Sequence, residues 1–285
     1  MARLQIREVR CKTLLHALDY RGGSEYTANF YRGCSHGCVY CYVPSLIHDE
    51  RGWGTFVDVK VNAPEVLDRE LRDAEKNIVF LSSATDPYQA VEARYKVTRS
   101  CLEVLLKHGF PVSILTRSPI VLRDLDLLKK FEWITVGVSI STASDRQYEP
   151  GVVPVERRIE CLRQLSKSGI KTWVSMAPII PQLLLTDIEG LILRLRDSGV
   201  RAVMPGLLRF QWYEESREMF EGVTGRPWTD FLLESGPTMT KIKELLRSHD
   251  LDNSGAVFDW KRHGQECKID SFASGEAADG SRATT

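Results

Sequence analysis

The chain has 285 residues, 38 basic against 38 acidic side chains and 43% hydrophobic content, which suits one large domain or two small ones with an ample core. A formal net charge of zero offers no overall basic excess to set against phosphates, so any nucleic-acid role would rest on a local patch. No apolar run is long enough to span a membrane, and the opening stretch "MARLQIREVRCKTLL" lacks the apolar core of a signal peptide, so the expectation is a cytoplasmic protein with reduced thiols.

The first expected strand is Asn29–Tyr31. It runs into "YRGCSHGCVYCYV", residues 31–43, where Cys34, Cys38 and Cys41 fall in the spacing C-x-x-x-C-x-x-C. Thiolates bind zinc or iron–sulfur clusters. Structural zinc wants four ligands, usually as two pairs, and here there is one trio. His36 lies too close in sequence to chelate easily beside both neighbours, and nothing around the distant Cys267 looks like half of a site. Three thiolates serve a cubane well when the fourth iron is meant for a substrate or cofactor.

Next comes a strand at 77–83, "NIVFLSS". From residue 94 onward an amphipathic helix ends in glycine and a short β-rich run follows. Gly109 precedes Val112–Leu115, Gly169 precedes Thr172–Met176, and Gly199 precedes Ala202–Met204, each glycine serving as a left-handed cap. A further strand, "WITVGVSI", covers 133–140. The helices show the 3.6 period: Val97, Cys101, Leu102 and Leu105 share a face, as do Val155, Ile159 and Leu162, and Ile188, Leu191, Ile192 and Leu195. Thr186 with Glu189 forms a capping box before the last of these. Strands alternating with helices imply a parallel sheet. About six βα units fall short of a closed eight-fold barrel, so the expected class is α/β, a partial (β/α)6 TIM-like barrel with a C-terminal helical extension. A doubly wound sheet is the rival. In either, chemistry belongs at the C-terminal ends of the strands. The aromatic-rich residues 207–236 cover the open side, contact substrate, or simply pack under a terminal helix. A final helix is expected near Met239–Leu246. The expected divisions are an N-terminal extension over 1–24, the core over 25–206, a helical and aromatic extension over 207–268, and a disordered tail over 269–285.

The aromatic just before the third cysteine in "CSHGCVYC" completes a pattern that resembles the radical S-adenosylmethionine (SAM) superfamily. In order, "YTANFYRGCSHGCVYCYV", "SSATDPYQAVE", "ILTRSPIVLRDLDLL", "VGVSIST", "YEPGVVPVERRI" and "VSMAPIIP" resemble its spore-photoproduct-lyase-like branch over about residues 10–205. The resemblance implies a 4Fe–4S cluster held by Cys34, Cys38 and Cys41, with SAM chelating the free iron. One-electron cleavage of the sulfonium then gives a 5′-deoxyadenosyl radical that takes hydrogen from a substrate, and a reductant such as flavodoxin or ferredoxin is implied. By matching position, the Tyr40 backbone meets the adenine, and Ala177 and Pro178 form a turn beside the adenosine. Thr85 holds the methionine amino group. Arg117, where the lyase has lysine, and Ser139 contact the methionine carboxylate. Ser83 stands where the lyase has a hydrogen-donating cysteine, and a serine O–H bond is too strong for that task. Tyr40 and Tyr42 match the two tyrosines beside that donor, which makes Tyr42 the catalytic candidate. No second basic segment resembles the lyase's DNA-gripping hairpin, so repair of thymine dimers is not expected. The substrate class stays open between small molecule, peptide and nucleic acid. The alternatives are a nucleic-acid repair or modification enzyme of the same superfamily, or a non-catalytic zinc or iron–sulfur module.

Other residues have plainer readings. Cys101 and Cys161 lie on apolar helix faces and belong to the core. Cys11 and Cys267 are too few for a second cluster. Asp86, Tyr88, Gln89 and Glu92 form a loop expected to line the site, with Asp86 alternatively a helix cap. Glu149 and Arg158 lie near the ribose or pair with each other. Arg123, Asp124 and Asp126 are helix-start charges, and His36 and His108 face solvent or are hydrogen-bonded.

Overall fold

In a computed structural model that describes residues 4–20, 23–81, 83–141, 146–181, 187–208, 210 and 213–254, ten strands are present. They are β1 Gln5–Val9, β2 Leu15–Tyr20, β3 Gly23–Ala28, β4 Tyr31–Arg32, β5 Phe56–Lys60, β6 Val79–Leu81, β7 Val112–Thr116, β8 Ile134–Ser139, β9 Lys171–Ile179 and β10 Ala202–Leu207. The main sheet runs β10-β9-β8-β7-β6-β3-β2. From β3 to β10 every neighbouring pair is parallel. Six parallel strands therefore follow one another in chain order with no reversal of direction across the sheet. That order belongs to a partial barrel; a doubly wound sheet would turn back at a switch point.

The start of the barrel differs from the expectation. The first parallel strand is β3, ending at Ala28, whereas Tyr31–Arg32 belong to a small second sheet of order β1-β5-β4. The boundary between 24 and 25 falls inside β3, and β2 pairs antiparallel with β3 from Leu15↔Ala28 to Tyr20↔Gly23. The Gly22-Gly23 pair between two short runs is a hairpin signal, but the mixed polarity of both runs hides the alternation that would mark them as strands.

The crossover helices form where the apolar period lies. The helix Val97–His108 buries Val97, Cys101, Leu102 and Leu105, and Val155–Lys167 buries Val155, Ile159, Cys161 and Leu162. Gly109, Gly169 and Gly199 have φ of 65°, 84° and 84°, so each helix ends in the left-handed turn that favours glycine. Asp187 caps Ile188–Asp197 by accepting from the Gly190 N–H at 3.1 Å; Thr186 of the expected capping box lies outside the described residues. The last helix is longer than expected, Trp228–Ser248, and continues through Pro237. Beyond it, the Val203 N–H donates to the Asp252 carbonyl at 2.8 Å, which covers part of the outer edge of β10. Cys267 and the tail 269–285 lie outside the described residues.

Register sets the barrel interior in layers. Thr27, Phe80, Ser113 and Thr135 are successive partners across β3, β6, β7 and β8. One layer up, Leu115, Gly137, Trp173 and Ala202 are partners, and above them Ser139, Ser175 and Met204. Because side chains alternate along a strand, these share the face turned away from the helices. Trp173, Ala202 and Met204 pack together with Phe80 and Leu115 as an apolar floor. Trp173 covers Gly137 so closely that any β-carbon there would collide with its ring. Small polar side chains stand above that floor, at the C-terminal mouth.

Candidate functional site

The cysteine loop follows β3 by way of the short β4 and is tied on two sides. Toward β6, Gly33 offers its carbonyl to the Thr85 hydroxyl at 2.7 Å, and the Ser35 N–H donates to Gln89 Oε1 at 2.9 Å. Toward β8, the Val39 N–H donates to the Tyr148 carbonyl at 3.0 Å and the Gly151 N–H to the His36 carbonyl at 2.9 Å. Asn29 bridges loop and β6 by donating to Ser83 Oγ and accepting from the Ala84 N–H, both at 2.8 Å. Cys34 and Cys38 are buried and Cys41 is half-buried. Burial pushes the Cys38 thiol far up and the Cys41 thiol up to about 12, so each holds its proton until something cationic binds.

Beneath the loop lie two buried polar groups. Asp86 accepts from the Thr116 hydroxyl at 2.6 Å, the Arg117 N–H at 2.7 Å and the Tyr88 N–H at 2.9 Å, and faces His36 Nδ1 at 3.4 Å. Burial works against both charges, but each outweighs it for the other. His36, with Cys34 also near, rises to about 10, and Asp86 stays below its usual value. His36 is thus buried rather than solvent-facing. In the second group, Glu149 accepts from Arg158 at 2.7 Å, from the Ser141 hydroxyl at 2.8 Å and from the Tyr40 hydroxyl. Glu149 and Arg158 are each 3% exposed, so the two expected possibilities resolve to an ion pair. Burial would raise Glu149, but Arg158 and Arg117 outweigh it and hold it down.

Asp86 therefore joins β7 to the cysteine loop rather than merely capping a helix. We expect Asp86→Asn to cost about 3 kcal/mol in urea unfolding, because it strands a buried cation. The carboxylate's part of the wild-type contribution is complete above the ordinary aspartate value of 3.8 and fades as pH falls below it, while the part that rests on charged His36 is lost as pH rises from 6.5 through about 10. The variant should lose that acid-side dependence, and identical acid profiles would refute the assignment.

The strand ends bring most of the expected residues to one mouth. Ser83 and Thr85 follow β6, Arg117 follows β7, Ser139 ends β8, and Ala177-Pro178, a cis peptide, lies near the end of β9. Ser139 Oγ and Arg117 Nε are buried without a hydrogen-bond partner. Ser83 Oγ accepts from Thr27 and Asn29, each at 2.8 Å, and its carbonyl accepts from the Tyr42 hydroxyl. Tyr42 also packs on Tyr213 with ring centroids 5.5 Å apart. Gln89 reaches the loop, but Glu92 does not line the site. It is fully buried, held by Arg123 at 2.6 Å, by the Thr98 N–H at 3.0 Å and by the Tyr31 hydroxyl. Ser175, on the lumen side of β9, and Ser141, bonded to Tyr40 and Glu149, are not singled out by sequence, which carries no local signal for them. The aromatic extension packs directly on the loop. Leu208, Phe210, Phe220 and Phe231 form one cluster with Cys38, Val39, Tyr40 and Val152.

Among the described residues no three His, Cys, Asp or Glu side chains converge on a single ion position. A cubane takes each thiolate on a different iron, so the three need not share one ion position. The family model described as the Radical SAM superfamily matches residues 28–203. An uncharacterized protein of Methanocaldococcus jannaschii is 34% identical over 196 residues, 67% of this chain and 73% of its own length. A protein of Pseudomonas phage M6 named a radical SAM Nalpha-GlyT isomerase is 30% identical over 171 residues, covering 58% of this chain but 35% of that one. In structure, the fold resembles spore photoproduct lyase complexed with dinucleoside spore photoproduct. The TM-score is 0.59 at 16% identity, covering 78% of this chain and 67% of that one.

Proposed function

The chain belongs to the radical SAM superfamily, whose enzymes use a 4Fe–4S cluster and S-adenosylmethionine, and from that premise we propose that Cys34, Cys38 and Cys41 hold the cluster while the mouth of the barrel holds SAM. When bound, the pair supplies one-electron cleavage to a 5′-deoxyadenosyl radical that takes hydrogen from a substrate. The observation that carries the reading is the buried Arg117 Nε and Ser139 Oγ, neither with a hydrogen-bond partner, at the same mouth as the thiol trio. A polar atom left unpaired in a dry site is costly unless a ligand completes it.

The chain's own groups divide the work. Arg117 is the cation for the methionine carboxylate, and Ser139 adds a hydroxyl. Thr85 donates its proton to Gly33 and accepts from Gln89 at 3.0 Å, which leaves one lone pair for the methionine ammonium. The Tyr40 backbone and the turn at Ala177 and Pro178 border the adenosine. Tyr42, anchored on the Ser83 carbonyl, is the catalytic candidate at the rim. Trp173, Phe80 and Leu115 close the lumen below, so the substrate enters from the mouth and meets an apolar, water-poor floor. A flavodoxin- or ferredoxin-type protein is the proposed electron donor.

The test is anaerobic reconstitution followed by SAM and dithionite. The expected products are a brown protein absorbing near 400 nm and free 5′-deoxyadenosine. A reconstituted protein that releases no 5′-deoxyadenosine would sink the reading, and stoichiometric zinc in a colourless anaerobic preparation would favour a scaffold instead.

A further inference from the structure

We propose that Glu149 is a positioning residue that turns Arg117 toward the methionine carboxylate of SAM, an inference that rests on the reading of Arg117 given above. Two arginines, Arg158 buried and Arg117 half-buried, compete for this one carboxylate. Arg158 holds Glu149 Oε2 at 2.7 Å and also donates to the Ser139 carbonyl at 2.7 Å, so it is fixed. Arg117 meets the other oxygen, Oε1, through Nε at 3.6 Å, beyond a good hydrogen bond. Oε1 is already taken up by the hydroxyls of Tyr40 and Ser141. Asp86 does not supply the missing countercharge, because it accepts the Arg117 backbone N–H at 2.7 Å and faces His36.

The result is one guanidinium whose charge is only half answered. Its Nε is buried against Glu149, yet the side chain as a whole is 20% exposed, so the exposed part lies on the remainder of the side chain. The Tyr40 ring, whose hydroxyl bonds that same Glu149 oxygen, lies 5.9 Å from the Arg117 Cζ. Glu149 thus orients Arg117 without neutralising it, which is what a site awaiting an anion needs. The same carboxylate links that cation to Tyr40, the residue just before Cys41, so the anion site and the cysteine loop are set by one side chain.

The test is a double-mutant cycle on SAM affinity, measured by anaerobic calorimetry on reconstituted protein of matched iron content. Arg117→Met should weaken binding about thirtyfold, and Glu149→Gln about tenfold in the Arg117 background. In the Arg117→Met background, Glu149→Gln should add less than about twofold. Glu149→Asp keeps the charge and the Arg158 pair but draws Oε1 back by one methylene; it should show the same dependence on Arg117, and it decides the matter if Glu149→Gln does not fold. Equal losses in both backgrounds, or unchanged affinity, would mean that Glu149 acts only on the fold and would overturn the proposal. A wild-type protein that takes up its iron but binds no SAM would instead overturn the reading of the mouth as a SAM site.

Discussion

Alanine at Cys34, Cys38 or Cys41 is expected to leave a folded chain that no longer holds iron. The loop does not depend on its thiols for shape, since its ties to Gln89, Thr85, Tyr148 and Gly151 run through backbone groups and neighbouring side chains. Far-UV dichroism and apo-protein melting should therefore stay near wild type. Iron after reconstitution should fall from about four per chain toward none, because two thiolates do not retain a cubane. The absorbance near 400 nm and 5′-deoxyadenosine release should vanish together. Burial holds the Cys38 and Cys41 protons in the apo-protein, so wild-type loading should also release protons, measurable in weakly buffered solution, and each variant should release fewer. Wild-type iron content in any of the three variants would remove that cysteine from the ligand set.

The second large effect is expected at Gly33. Its φ is +79°, and a β-carbon there would lie 2.5 Å from the Phe56 carbonyl oxygen and 2.6 Å from the Phe56 ring. The oxygen belongs to β5 and has little room to yield. The left-handed conformation costs a non-glycine residue about 1–2 kcal/mol, and overpacking adds about 1–3. Gly33→Ala should thus lose about 2–5 kcal/mol in denaturant unfolding. It should also lower cluster yield, because Cys34 is the next residue and the Gly33 carbonyl receives the Thr85 hydroxyl at 2.7 Å. A melting temperature and iron content equal to wild type would contradict the backbone geometry of the loop.

The repeating units of the barrel were legible because burial imposes periodicity. Glycine after each apolar face announced the turns at Gly109, Gly169 and Gly199, and the strands that follow are buried runs. The N-terminal hairpin was not legible, because β2 lies at the sheet edge, nor was β1, which is exposed along most of its length. The thiol trio could be read from spacing alone. Of the buried polar groups only the pairing of Glu149 with Arg158 was among the expected possibilities: Tyr40 and Ser141 join it across separations of up to 109 residues, and Asp86 meets Thr116 across 30. Glu92 misled for a related reason. It lies in the same stretch as Asp86 and Gln89, yet the turn that precedes the helix Glu92–Tyr95 sends it to the opposite side, toward Arg123.

The aromatic cluster beneath the cysteine loop carries a consequence for biosynthesis. Phe210, Phe220 and Phe231 complete the wall behind Cys38 and Tyr40, and Ser45 bonds Ser216 at 3.0 Å across 171 residues. A nascent polypeptide has made its thiols long before the ribosome delivers that wall. Metallation in the finished environment must therefore wait until translation has passed Phe231, and a chain stalled before that point would offer its sulfurs to water and oxygen.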